Sequence, residues 1–155
     1  MPLIKRENIV TMYFNDLKLD LTVEIAPVVI EKQKMMDFAQ TYDNIPIHTD
    51  EEYAKASPFG GLIAPGVMSF MSVWAKYLEV DFFGKELLAG KSTKIEWHKS
   101  VYADDVLHGT AVITNLVQRN AKNGLVEITI EAYNQNNVHV LSNVTEAIVK
   151  CAEKG

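Results

Sequence analysis

The spacing of apolar residues divides this chain into segments of two kinds. From Leu19 it alternates, with Leu19, Leu21, Val23 and Ile25 set against Asp20, Thr22 and Glu24. A period of two is that of a half-buried strand. Pro27 ends this strand or marks an edge, because proline has no N–H to give a neighbouring strand. From Ile30 to Gln40 the period lengthens. Met35, Phe38 and Ala39 share one face and Glu31, Lys32 and Lys34 fall mostly elsewhere, which predicts a helix. Residues 41–47 should be irregular, since Pro46 lacks an N–H and pushes Ile45 into an extended conformation. Thr49 followed by Glu52 matches a capping box and predicts a short helix from about Asp50 to Ala56. Pro58, Gly60 and Gly61 then form a loop. Pro65-Gly66 opens a helix over about 66–79 that is apolar on most sides, through Val67, Met68, Phe70, Met71, Val73, Trp74, Tyr77 and Leu78. Such a helix is expected to be buried.

Asp81 to Leu88 reads as a connection, and beyond it the strand period returns. Ser92 to His98 places Thr93, Ile95 and Trp97 on one face. Val106 to Val117, Leu125 to Asn134 and Val138 to Lys150 are three further strands, separated by turns at Asp104-Asp105, at Lys122-Asn123-Gly124 (a hairpin signal that tolerates positive φ) and at Asn134 to Asn137. Residues 1–18 carry no clear period and read as a short arm or edge segment. One early apolar helix followed by a run of long antiparallel strands is an α+β plan. A curved sheet wrapped around that helix would bury all its faces.

Composition narrows the classes of function. The 155 residues suit one domain, 1–155, with a real core. A net charge of -5 disfavours nucleic acid or an anionic membrane as partner, although a local basic patch could still hold a phosphorylated ligand. The single cysteine, Cys151, excludes an internal disulfide and supplies no CxxC metal site. No apolar run approaches the ~20 residues of a membrane span, and MPLIKRENIV lacks the apolar core of a signal peptide. A cytoplasmic location is the expectation.

Candidate chemistry gathers between Phe38 and Glu79. Asp43 and His48 lie five residues apart across a proline turn, and Phe59-Gly60-Gly61 leads into Ala64-Pro65-Gly66 at a helix start. An acid, an imidazole and a helix N-terminus are parts that acid–base chemistry on an acyl group can use. Taken singly, Asp43 reads first as a turn residue bonding its own backbone, His48 as a surface or helix-entry residue, and Gly66 as a helix-start residue. Gly60 and Gly61 read as turn formers, and Trp74, Phe70 and Met71 as core that could also line an acyl pocket. Asp50-Glu51-Glu52 beside His48 is explained by an acidic first helical turn rather than by a metal.

Together these residues resemble a known family. Phe38-Ala39, Tyr42-Asp43-x-x-Pro46-Ile47-His48-Thr49-Asp50 and Phe59-Gly60-Gly61-Leu62-Ile63-Ala64-x-Gly66, with Ile95-Glu96-Trp97 downstream, are similar to the MaoC-like dehydratases and (R)-specific enoyl-CoA hydratases. The resemblance implies a hotdog fold, with the sheet wrapped around the central helix. It implies hydration of a trans-2-enoyl thioester, or the reverse dehydration, with Asp43 and His48 activating water and the backbone N–H of Gly66 binding the carbonyl oxygen. Gly61, Ile63, Ala64 and Pro65 would contact substrate. The implied partners are an acyl-CoA or acyl-carrier-protein thioester and a second copy of the chain, or a larger oligomer. No metal or other cofactor is required. Ile45 and Tyr42 depart from the family, which often has asparagine and glycine there. Two alternatives stand beside this reading: a hotdog thioesterase, and a non-catalytic acyl-thioester-binding subunit.

Overall fold

The computed structural model describes residues 12–153 and the backbone of Leu3–Ile4. The rest of the expected N-terminal arm, residues 1–2 and 5–11, lies outside the described residues. The part that is described does not behave as an arm. Phe14 and Leu17 are buried, and the Phe14 ring packs over Gly124.

Six strands form one sheet in the order β1-β2-β4-β5-β6-β3. They are β1 (Leu3–Ile4), β2 (Thr22–Val29), β3 (Leu87–Trp97), β4 (Val106–Gln118), β5 (Asn123–Tyr133) and β6 (His139–Lys150). All pairings are antiparallel except the two-residue contact of β1 with Thr22 and Val23. Between β2 and β3 run helices α1 (Lys32–Tyr42), α2 (Pro46–Thr49), α3 (Glu51–Ala56) and α4 (Gly66–Leu78). This is the α+β hotdog plan, a curved antiparallel sheet packed on a long helix.

Alternation works as expected in the central strands. Val126, Ile128, Ile130 and Ala132 of β5 are buried, as are Leu107, Ala111 and Ile113 of β4 and Leu141, Ala147 and Val149 of β6. They meet Met68, Phe70, Val73 and Tyr77 of α4 in one core. Burying each large apolar side chain of this kind stabilises by about 1.5–3 kcal/mol. Pro27 lies inside β2 rather than at its end. It sits where the register with β4 shifts between Ile25 and Val28, beyond the stretch paired to β1, so it costs no ladder bond on that free side.

Three expectations are corrected. First, the sheet does not bury α4 on all sides. The helix packs mainly against β2 and β4, and Val67, Met71 and Leu78 are exposed in a stripe at helical spacing. Second, Asn123 and Gly124 are strand residues without positive φ. The turn comes just before them, where the Asn120 side-chain oxygen accepts the N–H groups of Lys122 and Asn123 at 2.8 and 3.0 Å. Third, the α3 cap is Asp50, whose carboxylate accepts the Tyr53 N–H at 3.1 Å. Thr49 is held in the preceding turn, its hydroxyl donating to the Ile45 carbonyl at 3.2 Å.

Gly109 in β4 shows how tightly the sheet is fitted. A Cβ there would fall 2.0 Å from the Glu131 carbonyl oxygen on β5, an atom that cannot move without breaking the ladder. Gly109→Ala is therefore expected to destabilise the fold by about 1–3 kcal/mol. Thermal or urea unfolding would show it, and an unchanged midpoint would contradict this packing.

Candidate active site

Helix α1 ends at Tyr42, and Asp43 leaves it with φ -154 and ψ 60 while its N–H still reaches the Ala39 carbonyl at 2.9 Å. Ile45 is extended (φ -123, ψ 149), as a residue before proline should be. The expected irregularity is confined to these few residues. Pro46 starts a single helical turn, its fixed φ already suited to that position. The turn carries His48 inward, leaving it 5% exposed. Its Nε2 lies 3.2 Å from Oδ2 of Asp43, whose side chain is 44% exposed.

The other ring nitrogen fixes the chemistry of this pair. Nδ1 of His48 is 2.7 Å from the backbone carbonyl oxygen of Ile63. A carbonyl only accepts, so Nδ1 carries hydrogen and donates. Neutral His48 therefore presents a bare Nε2 towards Asp43. Nε2 and Oδ2 can form a hydrogen bond only when one proton is shared between them, on the imidazole or on the carboxyl. The pair has one exposed member, Asp43, and one buried member, His48.

Ile63 is held in turn by the rest of the fold. Its N–H donates to the Ile47 carbonyl at 3.2 Å, it bridges to Tyr102, and the neighbouring Ala64 N–H donates to the Val101 carbonyl at 2.7 Å. Tyr102 is anchored by buried Asp105, which accepts the Tyr102 N–H at 2.9 Å and the Gln135 amide at 2.9 Å.

Asp43 and His48 open into a cavity of about 460 Å³ whose lining includes Ile63, Ala64, Gly66 and Trp97. Gly61 and Pro65 lie outside that lining. Gly66 is the first residue of α4, and the helix's own bonding begins with Ser69 N–H to Pro65 carbonyl at 3.1 Å. The N–H of Gly66 is thus one of the donors a helix start leaves unused. Ile45 and Tyr42, the two departures from the family pattern, do not line the cavity, and both are exposed.

One wall of the cavity was not assigned to the site from the sequence. It runs from Trp97 through His98, Lys99 and Ser100 to Val101. The signals were an aromatic residue at the last inward position of an alternating strand and the family likeness of Ile95-Glu96-Trp97. Trp97 also changes the account of Gly66. A Cβ on Gly66 would lie 2.4 Å from Cε2, 2.6 Å from Nε1 and 2.7 Å from Cζ2 of the indole. Glycine is needed here to seat Trp97, whatever else approaches.

The MaoC like domain model matches residues 16–136, and the chain belongs to that family. Its sequence is 27% identical over 122 residues to Bacillus subtilis (strain 168) YdeM, covering 78% of this chain and 86% of that protein. The fold matches a MaoC-like dehydratase from Rhodospirillum rubrum with TM-score 0.84 and 21% identity, over 92% of this chain and 99% of the other. It matches the R-hydratase PhaJ1 of Pseudomonas aeruginosa with TM-score 0.74 and 19% identity, over 92% and 88%.

The shared-proton geometry makes a direct prediction. Nitrogen NMR of the His48 ring should show Nδ1 bearing hydrogen across neutral pH, in both protonation states. A neutral form with hydrogen on Nε2 alone would contradict the bond to Ile63.

Proposed function

We propose that this chain hydrates a trans-2-enoyl thioester to a 3-hydroxyacyl thioester, or catalyses the reverse dehydration. The observation that carries the reading is the Asp43–His48 pair at 3.2 Å, facing a cavity that also reaches the free N–H at the start of α4. Family membership supports it, since members include hydratases and dehydratases.

In this mechanism His48 begins as the imidazolium and Asp43 as the carboxylate. Water sits against the carboxylate. Asp43 takes a proton from the water as its oxygen bonds to the β-carbon. The alkene pair shifts towards the thioester, and negative charge gathers on the carbonyl oxygen. The Gly66 N–H meets that charge, a contribution worth about 3–4 kcal/mol for one preorganised donor. His48 Nε2 then gives its proton to the α-carbon, and the proton now on Asp43 passes back across the pair. One water is added and the pair is restored. A positioned acid–base group of this kind contributes about 10²–10⁴-fold in rate.

A coenzyme A or acyl-carrier-protein thioester is the proposed substrate form, and a homodimer the proposed assembly. The free edge of β3 and the exposed stripe of α4 are the surfaces a second copy would cover. Ile45 and Tyr42 do not line the cavity, so these departures from the family pattern take no group from its wall.

Wild-type protein given crotonyl-CoA or a longer trans-2-enoyl-CoA should remove the conjugated absorbance and yield 3-hydroxyacyl-CoA without free thiol. Asp43→Asn should fold normally and lose at least ~100-fold in rate. Release of free thiol, or an Asp43→Asn variant as fast as wild type, would sink the proposal.

A further inference from the structure

We propose that the indole N–H of Trp97 is a second donor to the substrate's carbonyl oxygen, beside the backbone N–H of Gly66. The inference rests on the enoyl-thioester reading of this site and adds a side chain to it. Trp97 is the last residue of β3 and pairs with Leu141, which is fully buried, so its side chain points to the concave side of the sheet. There the ring meets Gly66 through the edge that carries its nitrogen, with Nε1 2.6 Å from the Cβ position. One bond of ~1.5 Å separates that position from the Gly66 Cα, so Nε1 lies within about 4.1 Å of it.

The direction of the contact matters as much as its length. Cα–Cβ bonds of an α-helix tilt towards its N-terminus. A ring occupying the Cβ position of the first helical residue therefore lies towards the end where the Gly66 N–H is unused. The ring edge that carries Nε1 and the Gly66 N–H thus both lie at the start of α4, on the lining of the cavity that Asp43 and His48 face. A carbonyl oxygen has two lone pairs and can accept both. Trp97 is 49% exposed, so its ring is not sealed into the core. Its N–H donates to no group among the described residues. An indole nitrogen only donates, so a carbonyl oxygen is a partner it can take.

Trp97→Phe keeps an aromatic ring over Gly66 and removes the donor. With crotonyl-CoA, kcat should fall by ~100-fold, the effect of losing one oxyanion donor, with KM little changed, because the donor acts most strongly once charge develops. A variant with wild-type kcat would overturn the proposal and leave Trp97 as a steric cover. A second measurement needs neither turnover nor a variant that folds well. The chain has two tryptophans, Trp74 and Trp97, hence two indole N–H signals in a proton–nitrogen spectrum. Saturated butyryl-CoA cannot be hydrated but presents the same carbonyl. Its addition should move the Trp97 signal downfield, and a saturating addition that leaves that signal in place would overturn the proposal. A signal that moves in protein unable to hydrate crotonyl-CoA would support the donor and reject the hydration reading, so the two failures are separable.

Discussion

The hydrogen bond from His48 Nδ1 to the Ile63 carbonyl, 2.7 Å long and buried, joins the two segments that make the site. One is the proline turn after α1, which supplies Asp43 and His48. The other is the strand-like stretch before α4, which supplies Ile63, Ala64 and the helix start. A single buried hydrogen bond contributes only about 0.5–1.5 kcal/mol net. Its larger effect here is on chemistry, because it decides which imidazole nitrogen is left to face Asp43. The bond depends in turn on residues far along the chain. Ile63 bridges to Tyr102, Tyr102 is fixed by Asp105, and the Asp105 carbonyl accepts the Ile30 N–H at 2.8 Å where β2 leads into α1. The site is thus tied to the sheet at both ends of the helical insertion.

The position of α4 sets what else the fold can do. Lying against β2 and β4, it leaves one flank of the concave face to smaller and more polar residues. There Asn143 is fully buried, donating to Thr93 at 2.7 Å and to the Lys94 carbonyl at 3.0 Å, while Thr145 donates back to Asn143 at 2.8 Å. These bonds fasten the edge strand β3 to β6. They hold the strand whose last residue, Trp97, closes over the beginning of α4. The same offset leaves Val67, Met71 and Leu78 uncovered.

Much of the fold was legible in the sequence because it follows local periods. The alternation of Val126, Ile128, Ile130 and Ala132 declared both a strand and its buried face, and Pro65-Gly66 declared a helix start. The nearness of Asp43 to His48 was suggested by a proline turn between them. Other features were not legible, for physical reasons. The four-residue helix at Pro46–Thr49 is too short to show a period. Thr49 and Asp50 both carry oxygens suited to a cap, and only the backbone of the preceding turn decides between them. The period of α4 shows that it is apolar but not which neighbours cover it. For Trp97 the pattern gave the face it occupies, but not that Gly66 lies across from it, because contacts between distant segments have no period. The bond that sets the His48 tautomer is made to a backbone carbonyl, which no residue type announces.

The central claim is that Asp43 and His48 work as one proton-sharing pair, and a double-mutant cycle on hydration rate tests it most directly. Asp43→Asn and His48→Asn would be compared singly and together, the latter keeping a donor near the Ile63 carbonyl. Residues acting as a unit are strongly non-additive. The account predicts that the double variant is no slower than the slower single one. Losses that multiply would show two independent contributions and contradict the shared proton.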